Sequence, residues 1–451
     1  MKKITLLLIS FALSLNLTMF AQGTWSGVGS GLNLPVQALA TDTTNNVLYA
    51  GGIFTQTGLL PAIGVAKWNG SNWSQVGGGI LSGTGISSMI MKDGELIVGG
   101  TFTNIGGVLS KNISRWNGIT WLPLGNGLEY TGATTVSTLT IYNGDLYAGG
   151  NFTSSGGTAI NHIAKWDGTA WIPLGSGTNG DVSSLCVFNG ELYVGGQFTL
   201  AGGVAVKNIA KWDGTTWSDV GGGVDYTGAT TVSTMKMYNN ELYVGGRFTT
   251  AGTVAVKNIA KWDGIDWSDV GGGVEYTGAT TVSTMKMFNS ELIVGGTYTT
   301  AGGDPANYIS KWDGTVWKTL GAGMSGPVLA LEEYSGKLFA SGSFLFAGDH
   351  LIPFIAKWSP TQRSFTSIEN TDPSFAIFPN PAETGFTIKR TISTEIFHFK
   401  LCDALGREIM SIKNLNDEEY IDRKNIAAGL YFYTITNGGN DIIEQGKITI
   451  K

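Results

Sequence analysis

The sequence predicts an all-β protein, a seven-bladed β-propeller followed by a small C-terminal β-sandwich. Tryptophan spacing carries most of that prediction. All 14 tryptophans sit at repeat positions. Seven follow a Lys or Arg (Trp68, Trp116, Trp166, Trp212, Trp262, Trp312 and Trp358), at intervals of 48, 50, 46, 50, 50 and 46 residues. The other seven are Trp25, Trp73, Trp121, Trp171, Trp217, Trp267 and Trp317. A period of about 40–50 residues marks stacked supersecondary units, most often propeller blades. Composition agrees: 67 Gly, 11% aromatic and only 14% charged residues read as many short strands joined by tight turns. The period stops after Ile368, where short alternating strands of a different pattern begin.

One unit, Val232 to Gly271, serves for all. A first strand, Val232–Tyr238, ends at Asn239-Asn240; other units have Asn143-Gly144, Asn189-Gly190, Asp93-Gly94 and Ser335-Gly336 there. Asn-Gly and Asp-Gly supply the positive φ angles of a type I′ hairpin turn. A second strand covers Leu242–Phe248, and a loop of Thr, Ala and Gly follows. A third strand, Asn258–Trp262, runs into Asp263-Gly264, and a fourth carries Trp267 and Val270. Four antiparallel strands are the content of one blade. Read as a two-residue turn, Asp263-Gly264 sets Trp262 opposite Ile265 and makes Trp262 and Trp267 diagonal neighbours on one face, packed on the adjacent blade. The second strand holds a double glycine in six units, Gly245-Gly246 here, and Ser341-Gly342 in the seventh. Glycine weakens a strand, so its recurrence implies a bulge or a close approach, and the neighbouring Trp rings are the expected occupants.

Seven second and third strands make seven blades, yet Trp25 precedes any first strand and only Phe365 follows Trp358. Circular closure resolves this. The strand at Trp25 completes the blade of Trp358 and leaves no open edge. Up-down connectivity puts the short, uniform turns on one face and the longer second-to-third and blade-to-blade connections on the other. Loops that vary on a rigid frame are where binding usually resides.

A hydrophobic strand, a double glycine, then two spaced Trp, as in Leu242-Tyr243-Val244-Gly245-Gly246, Trp262 and Trp267, resembles the kelch repeat. The family usually has Tyr where Trp262 stands. The Gly-Gly-x-Phe-Thr variant also resembles repeats of some fungal cell-polarity and bacterial surface proteins. The resemblance covers residues 23–366 and implies a fold, with little bearing on function.

The ends of the chain carry addresses. Lys2 and Lys3, an apolar run from Ile4 to about Leu17 and small residues near Ala21-Gln22 have the layout of a signal peptide, residues 1–21. The run is too short to span a membrane, and no transmembrane segment is expected elsewhere. The propeller is then residues 22–368, a linker 369–373, and the last domain 374–451. That domain opens Phe375-Ala-Ile-Phe-Pro-Asn-Pro-Ala382 and continues through an Asp403…Gly406 turn and a Gly429-Leu-Tyr hairpin. In that order these motifs resemble the type A sorting domain of the type IX secretion system. The resemblance implies recognition by a Bacteroidota-type exporter, removal of the domain, and release of the cargo or its attachment to surface lipopolysaccharide.

Much chemistry is missing. Net charge is −6, so no basic face is expected for nucleic acid or anionic lipid. The two cysteines, Cys186 and Cys402, fall in different domains, and Cys186 reads as a small buried hydrophobe. The three histidines, His162, His350 and His398, lie far apart, so no metal set and no cofactor are expected. The copper ligands of galactose oxidase, whose propeller is kelch-like, have no counterpart here. No catalytic residue is assigned. The candidate binding residues are Glu129-Tyr130, Asp225-Tyr226 and Glu275-Tyr276, an acceptor beside an aromatic face on three equivalent long connections. The expected function is a secreted recognition module for glycan or protein. A structural or adhesive element, and a polysaccharide hydrolase or lyase, remain as alternatives.

Overall fold

A computed structural model describes residues 23–130, 132, 134–226, 230–276, 278, 281–360, 375–390, 397–403, 407–437 and 442–451. The expected signal peptide, the linker 369–373, Phe365, the centre of the Asp403…Gly406 turn and parts of the long connections lie outside the described residues. The chain divides into two compact units, Met1–Thr361 and Gln362–Lys451. Apart from one short 3₁₀ turn, Arg423–Asn425, every regular element among the described residues is a strand.

In the first unit the longer strands gather into seven antiparallel sheets of four or five strands, taken here in chain order. Their first strands are Val36–Asp42, Ile80–Lys92, Val136–Tyr142, Val182–Phe188, Thr231–Tyr238, Thr281–Phe288 and Val328–Tyr334. Each first strand packs on the next, and the seventh returns to the first, so the sheets form a ring. In the fifth sheet the order is Thr231–Tyr238, Glu241–Arg247, Ile259–Trp262, Trp267–Asp269. The seventh sheet is completed by the first strand of the described residues. Thr24–Gly27 pairs with Ile355–Ser359, and Trp25 stands opposite Trp358. Closure therefore falls where the repeat count puts it.

The two tryptophans of a sheet are directly opposed, not diagonal. Trp262 pairs with Trp267, because the loop between them has four residues where two were expected. Asp263 sets that length: its Oδ1 accepts from the backbone N–H of Ile265 and Asp266, at 2.7 and 2.8 Å. This Asx turn wins over the type I′ reading because it satisfies two donors with one side chain. The shared-face expectation holds. Ring centroids lie 5.1–5.5 Å apart in all seven pairs.

The fourth-strand tryptophans also join neighbouring sheets. Each Nε1–H donates to the carbonyl three residues past the equivalent Trp of the preceding sheet. The pairs run Trp73 to Val28, Trp121 to Val76, Trp171 to Leu124, Trp217 to Leu174, Trp267 to Val220 and Trp317 to Val270. Trp25 to Leu320, 3.1 Å, carries the same link across the closure.

The double glycines make room for something other than tryptophan. A Cβ on Gly245 would lie 2.5 Å from Val282 Cγ1, on the first strand of the next sheet, and one on Gly246 would strike the Thr231 carbonyl oxygen of its own sheet. That second approach coincides with a bulge between Val232 and Thr234. Tryptophan instead covers a different glycine, Gly271 (φ +55°), which lies under Trp312.

The second unit holds a three-stranded sheet, Phe375–Phe378, Gly385–Arg390, Glu418–Asp422, and a four-stranded one, Glu408–Ile412, Phe397–Cys402, Gly429–Asn437, Ile442–Ile450. Phe386 and Ile388 of the first share one buried core with Phe399, Leu401, Ile435 and Ile448 of the second.

Candidate functional site

The face that carries the long connections is more ordered than a set of loops. Each second-to-third connection is itself a tiny hairpin, such as Thr250–Ala251 paired with Val254–Ala255. The preceding sheet's exit segment pairs onto it: Val224–Asp225 joins Thr250–Ala251, and Val274–Glu275 joins Thr300–Ala301. Glu129 makes an equivalent bridge to Ser154. Two-residue strands are too short to leave a periodic pattern, which is why the sequence reads there as loop.

The latch has two forms. On the longer connections it is backbone: Thr249 N–H donates to Asp225 O and Thr299 N–H to Glu275 O, both 2.9 Å. On the shorter ones a side chain adds to a backbone bond, Asn179 N–H to Leu200 O or Ser325 N–H to Phe346 O. Asn179 Oδ1 accepts from Thr199 and Leu200 N–H, and Ser325 Oγ from Leu345 and Phe346 N–H.

All three candidate carboxylates already have a cation. Lys207 reaches Asp225 at 3.1 Å and Lys257 reaches Glu275 at 2.9 Å. Lys111 pairs with Glu129. The ammonium beside it is the main reason the Asp225 carboxyl sits below its ordinary pKa. In the third and sixth sheets Asn161 and Asn307 stand where these lysines would be, and Asn179 and Ser325 replace the acids. The charges thus occur together or not at all. The tyrosines differ: Tyr226 lies under the Arg247 guanidinium, 5.2 Å from its ring centroid, whereas Tyr130 is 47% and Tyr276 39% exposed. The three pairs lie on three separate connections and form no single constellation. Among the described residues no group of three His, Cys, Asp or Glu is placed to hold a metal ion.

Glu129 and Tyr130 edge a cavity of about 390 Å³ lined also by Ser82, Thr101, Leu109 and Lys111. A second cavity on this face, about 420 Å³, is lined by Asn161, His162, Thr178, Asn179 and Leu200. Sequence reasoning passed over His162. It occupies a positive-φ position (φ 66°) where Asn112, Asn208 and Asn258 stand in other sheets. Their amides donate to Leu128, Val224 and Val274 carbonyls. The imidazole makes no such bond; Nδ1 is buried, 3.7 Å from Asp181 Oδ1, and burial lowers its pKa. The break in an asparagine column was the signal available. Cys186, expected buried, is half-buried, and its thiol is pushed up chiefly by desolvation.

Ring, repeat and closure define the first unit as a β-propeller. Residues 376–451 match the secretion system C-terminal sorting domain, here of the type IX system. Residues 92–117 match a β-propeller domain of unknown function. No curated protein matches the chain significantly. Among solved structures the chain is similar to PorZ, a surface component of the type IX secretion system of Porphyromonas gingivalis, at 13% identity and TM-score 0.37, covering 92% of this chain and 66% of PorZ. It is also similar to the extracellular domain of a putative hybrid two-component system from B. thetaiotaomicron, at 11% identity and TM-score 0.43, covering 93% and 56%. The computationally designed Ika8 protein is similar at 14% identity and TM-score 0.43, covering 74% and 99%. A sorting tail of this kind marks a chain for secretion and the cell surface. No helix among the described residues is long and apolar enough to cross a membrane.

Proposed function

We propose that the protein is a secreted or outer-membrane surface-attached recognition module. In this reading residues 22–368 are a seven-bladed, kelch-like propeller, residues 374–451 a β-sandwich read by the type IX machinery, and the connection-bearing face binds glycan or protein. Contacts come from Glu129-Tyr130, Asp225-Tyr226 and Glu275-Tyr276. The cavity beside Glu129 and Tyr130 supports it most directly: an exposed aromatic face and the apolar Leu109 adjoin a lysine–carboxylate pair. Such a pair offers a donor and an acceptor together, which suits hydroxyl groups. Each site is small, so affinity for a repetitive surface arises through avidity.

Alanine at Glu129, Asp225 and Glu275 together should abolish binding on a glycan array, with no turnover of polysaccharide before or after. Stability should change little, because exposed ion pairs contribute about 0–1 kcal/mol each. Unchanged binding in the triple variant moves the site elsewhere, and turnover by the parent chain discards the recognition reading. The joint occurrence of lysine and acid supports a second reading, a structural or adhesive element in which these pairs only join sheets. Absence of any array ligand would favour it.

A further inference from the structure

The strongest unassigned site lies on the opposite, short-turn face, between the second and third sheets. A cavity of about 310 Å³ opens there, with Trp166, Arg115 and Lys92 among its walls. Its cause is visible in the repeat. The first tryptophan of each sheet packs against two positions of the preceding sheet: the last residue of the first strand and the third of the second. In the third, fourth, fifth and seventh sheets both positions are aromatic, as Tyr142–Tyr147, Phe188–Tyr193, Tyr238–Tyr243 and Tyr334–Phe339, with centroids 5.4–5.7 Å apart. These pairs share buried clusters with Trp212, Trp262, Trp312 and Trp68. The sixth sheet keeps Phe288 and the first keeps Tyr49, which cluster with Trp358 and Trp116.

The second sheet has neither ring. Lys92 and Ile97 occupy the two positions, and Lys92 pairs with Asp93 at 2.5 Å. Trp166 is accordingly the one first tryptophan of the seven that is not buried. The same sheet departs once more, with Arg115 where the other six have Lys. Arg115 binds Glu95 through one terminal nitrogen at 2.9 Å, while its Nε is buried with no hydrogen-bond partner.

We propose that this cavity binds a single hydroxylated ring, one pyranose-sized sugar residue. The half-buried Trp166 is the apolar surface that can receive the C–H face of a ring, with the buried Ile97 and Leu124 beside it. The cavity lining also holds two donors, Lys92 and Arg115, and two acceptors, Glu95 and Asp145. Opposite charges are interspersed and already paired, which suits a neutral polyol over an ion. The volume is at the low end of ligand pockets, about 300–1,000 Å³, and so fits one ring better than a chain. The site is independent of the connection-bearing face and of the reading offered for it.

The test uses the secreted chain with glucose, galactose, mannose and N-acetylglucosamine as probes, followed by saturation-transfer NMR. Saturable millimolar binding of at least one sugar is expected. The double variant Lys92→Tyr with Ile97→Tyr rebuilds the missing plug; it should lose that binding and melt at a higher temperature. Arg115→Lys, which restores the residue used by the other sheets, should weaken binding by about tenfold through loss of the guanidinium fork, with an unchanged Tm. Absence of saturable binding by any of these sugars overturns the ligand class. Binding that survives the rebuilt plug overturns the location. If the plugged variant does not fold, Arg115→Lys decides alone, and wild-type affinity in it refutes the proposal.

Discussion

The two tryptophans of a sheet divide labour at the level of single atoms. Trp262 is 6% exposed and works by filling space against Tyr193 of the preceding sheet, whereas Trp267 adds a directed hydrogen bond to Val220 O at 3.1 Å. Trp262→Ala should therefore cost about 3–5 kcal/mol, the usual range for deleting a buried large aromatic. Trp267→Phe keeps most of the ring but removes one of two donors to Val220 O, which still accepts from Gly223 N–H at 2.9 Å, a loss of about 0.5–1.5 kcal/mol. Denaturant titration of the two variants checks both, and equal stability to wild type in either removes its assigned role. His162 gives a pH signature. Burial lowers its folded pKa below 6.5 against the opposing pull of Asp181, so the unfolded chain takes up a proton at higher pH than the folded one. Its contribution is complete above the unfolded value and declines as pH falls through it. Thermal melts should show a drop in Tm between neutral and mildly acid pH, and His162→Asn, which installs the residue of three other sheets, should lessen that drop. An unaltered pH profile in His162→Asn would mean that the imidazole is solvated in the folded state.

At the scale of elements the repeat told which residues form strands far better than how strands are joined. The first strand, the Asn-Gly turns and the third strand are where alternation and turn chemistry put them, because each has a local cause. The loop at Asp263 is not, because its length is decided by one carboxylate capping two N–H groups, which no alternation pattern encodes. The occupant of the space over Gly245 was also misread. Spacing shows that something comes close, but only the ring of sheets shows that it is Val282 and not a tryptophan. The candidate acids were legible as a repeated pattern, and their lysine partners, 18 residues earlier in each case, were not, since the hairpin that brings them together is too short to read. That pairing is itself measurable. A double-mutant cycle on Lys257→Ala and Glu275→Ala should give a coupling energy of about 0.2–1 kcal/mol that shrinks with added salt. A coupling near zero would release Glu275 for ligand contact without competition from Lys257.

For the whole molecule the closing strand and the C-terminal domain have opposite jobs. The strand is structural: Thr24–Gly27 is the last strand of the seventh sheet, and Trp25, 4% exposed, joins that sheet to the sixth through Leu320 O. The domain is an address with a core of its own, residues 376–451, matching the sorting domain. Removal of residues 23–27 should open the ring. Ile355–Ser359 would become an exposed edge, a template for pairing with another chain, so aggregation or dimers should appear in light scattering together with a lower Tm. Removal of residues 371–451 should do the reverse. The propeller should keep its near-ultraviolet tryptophan spectrum and Tm, because its seven sheets close without that segment, yet the native host should no longer move it past the outer membrane. Both truncations together separate folding from export. A shortened chain lacking 371–451 that still reaches the cell surface would show that the address lies elsewhere, and one lacking 23–27 that stays monomeric with an unchanged Tm would show that the ring does not depend on its closing strand.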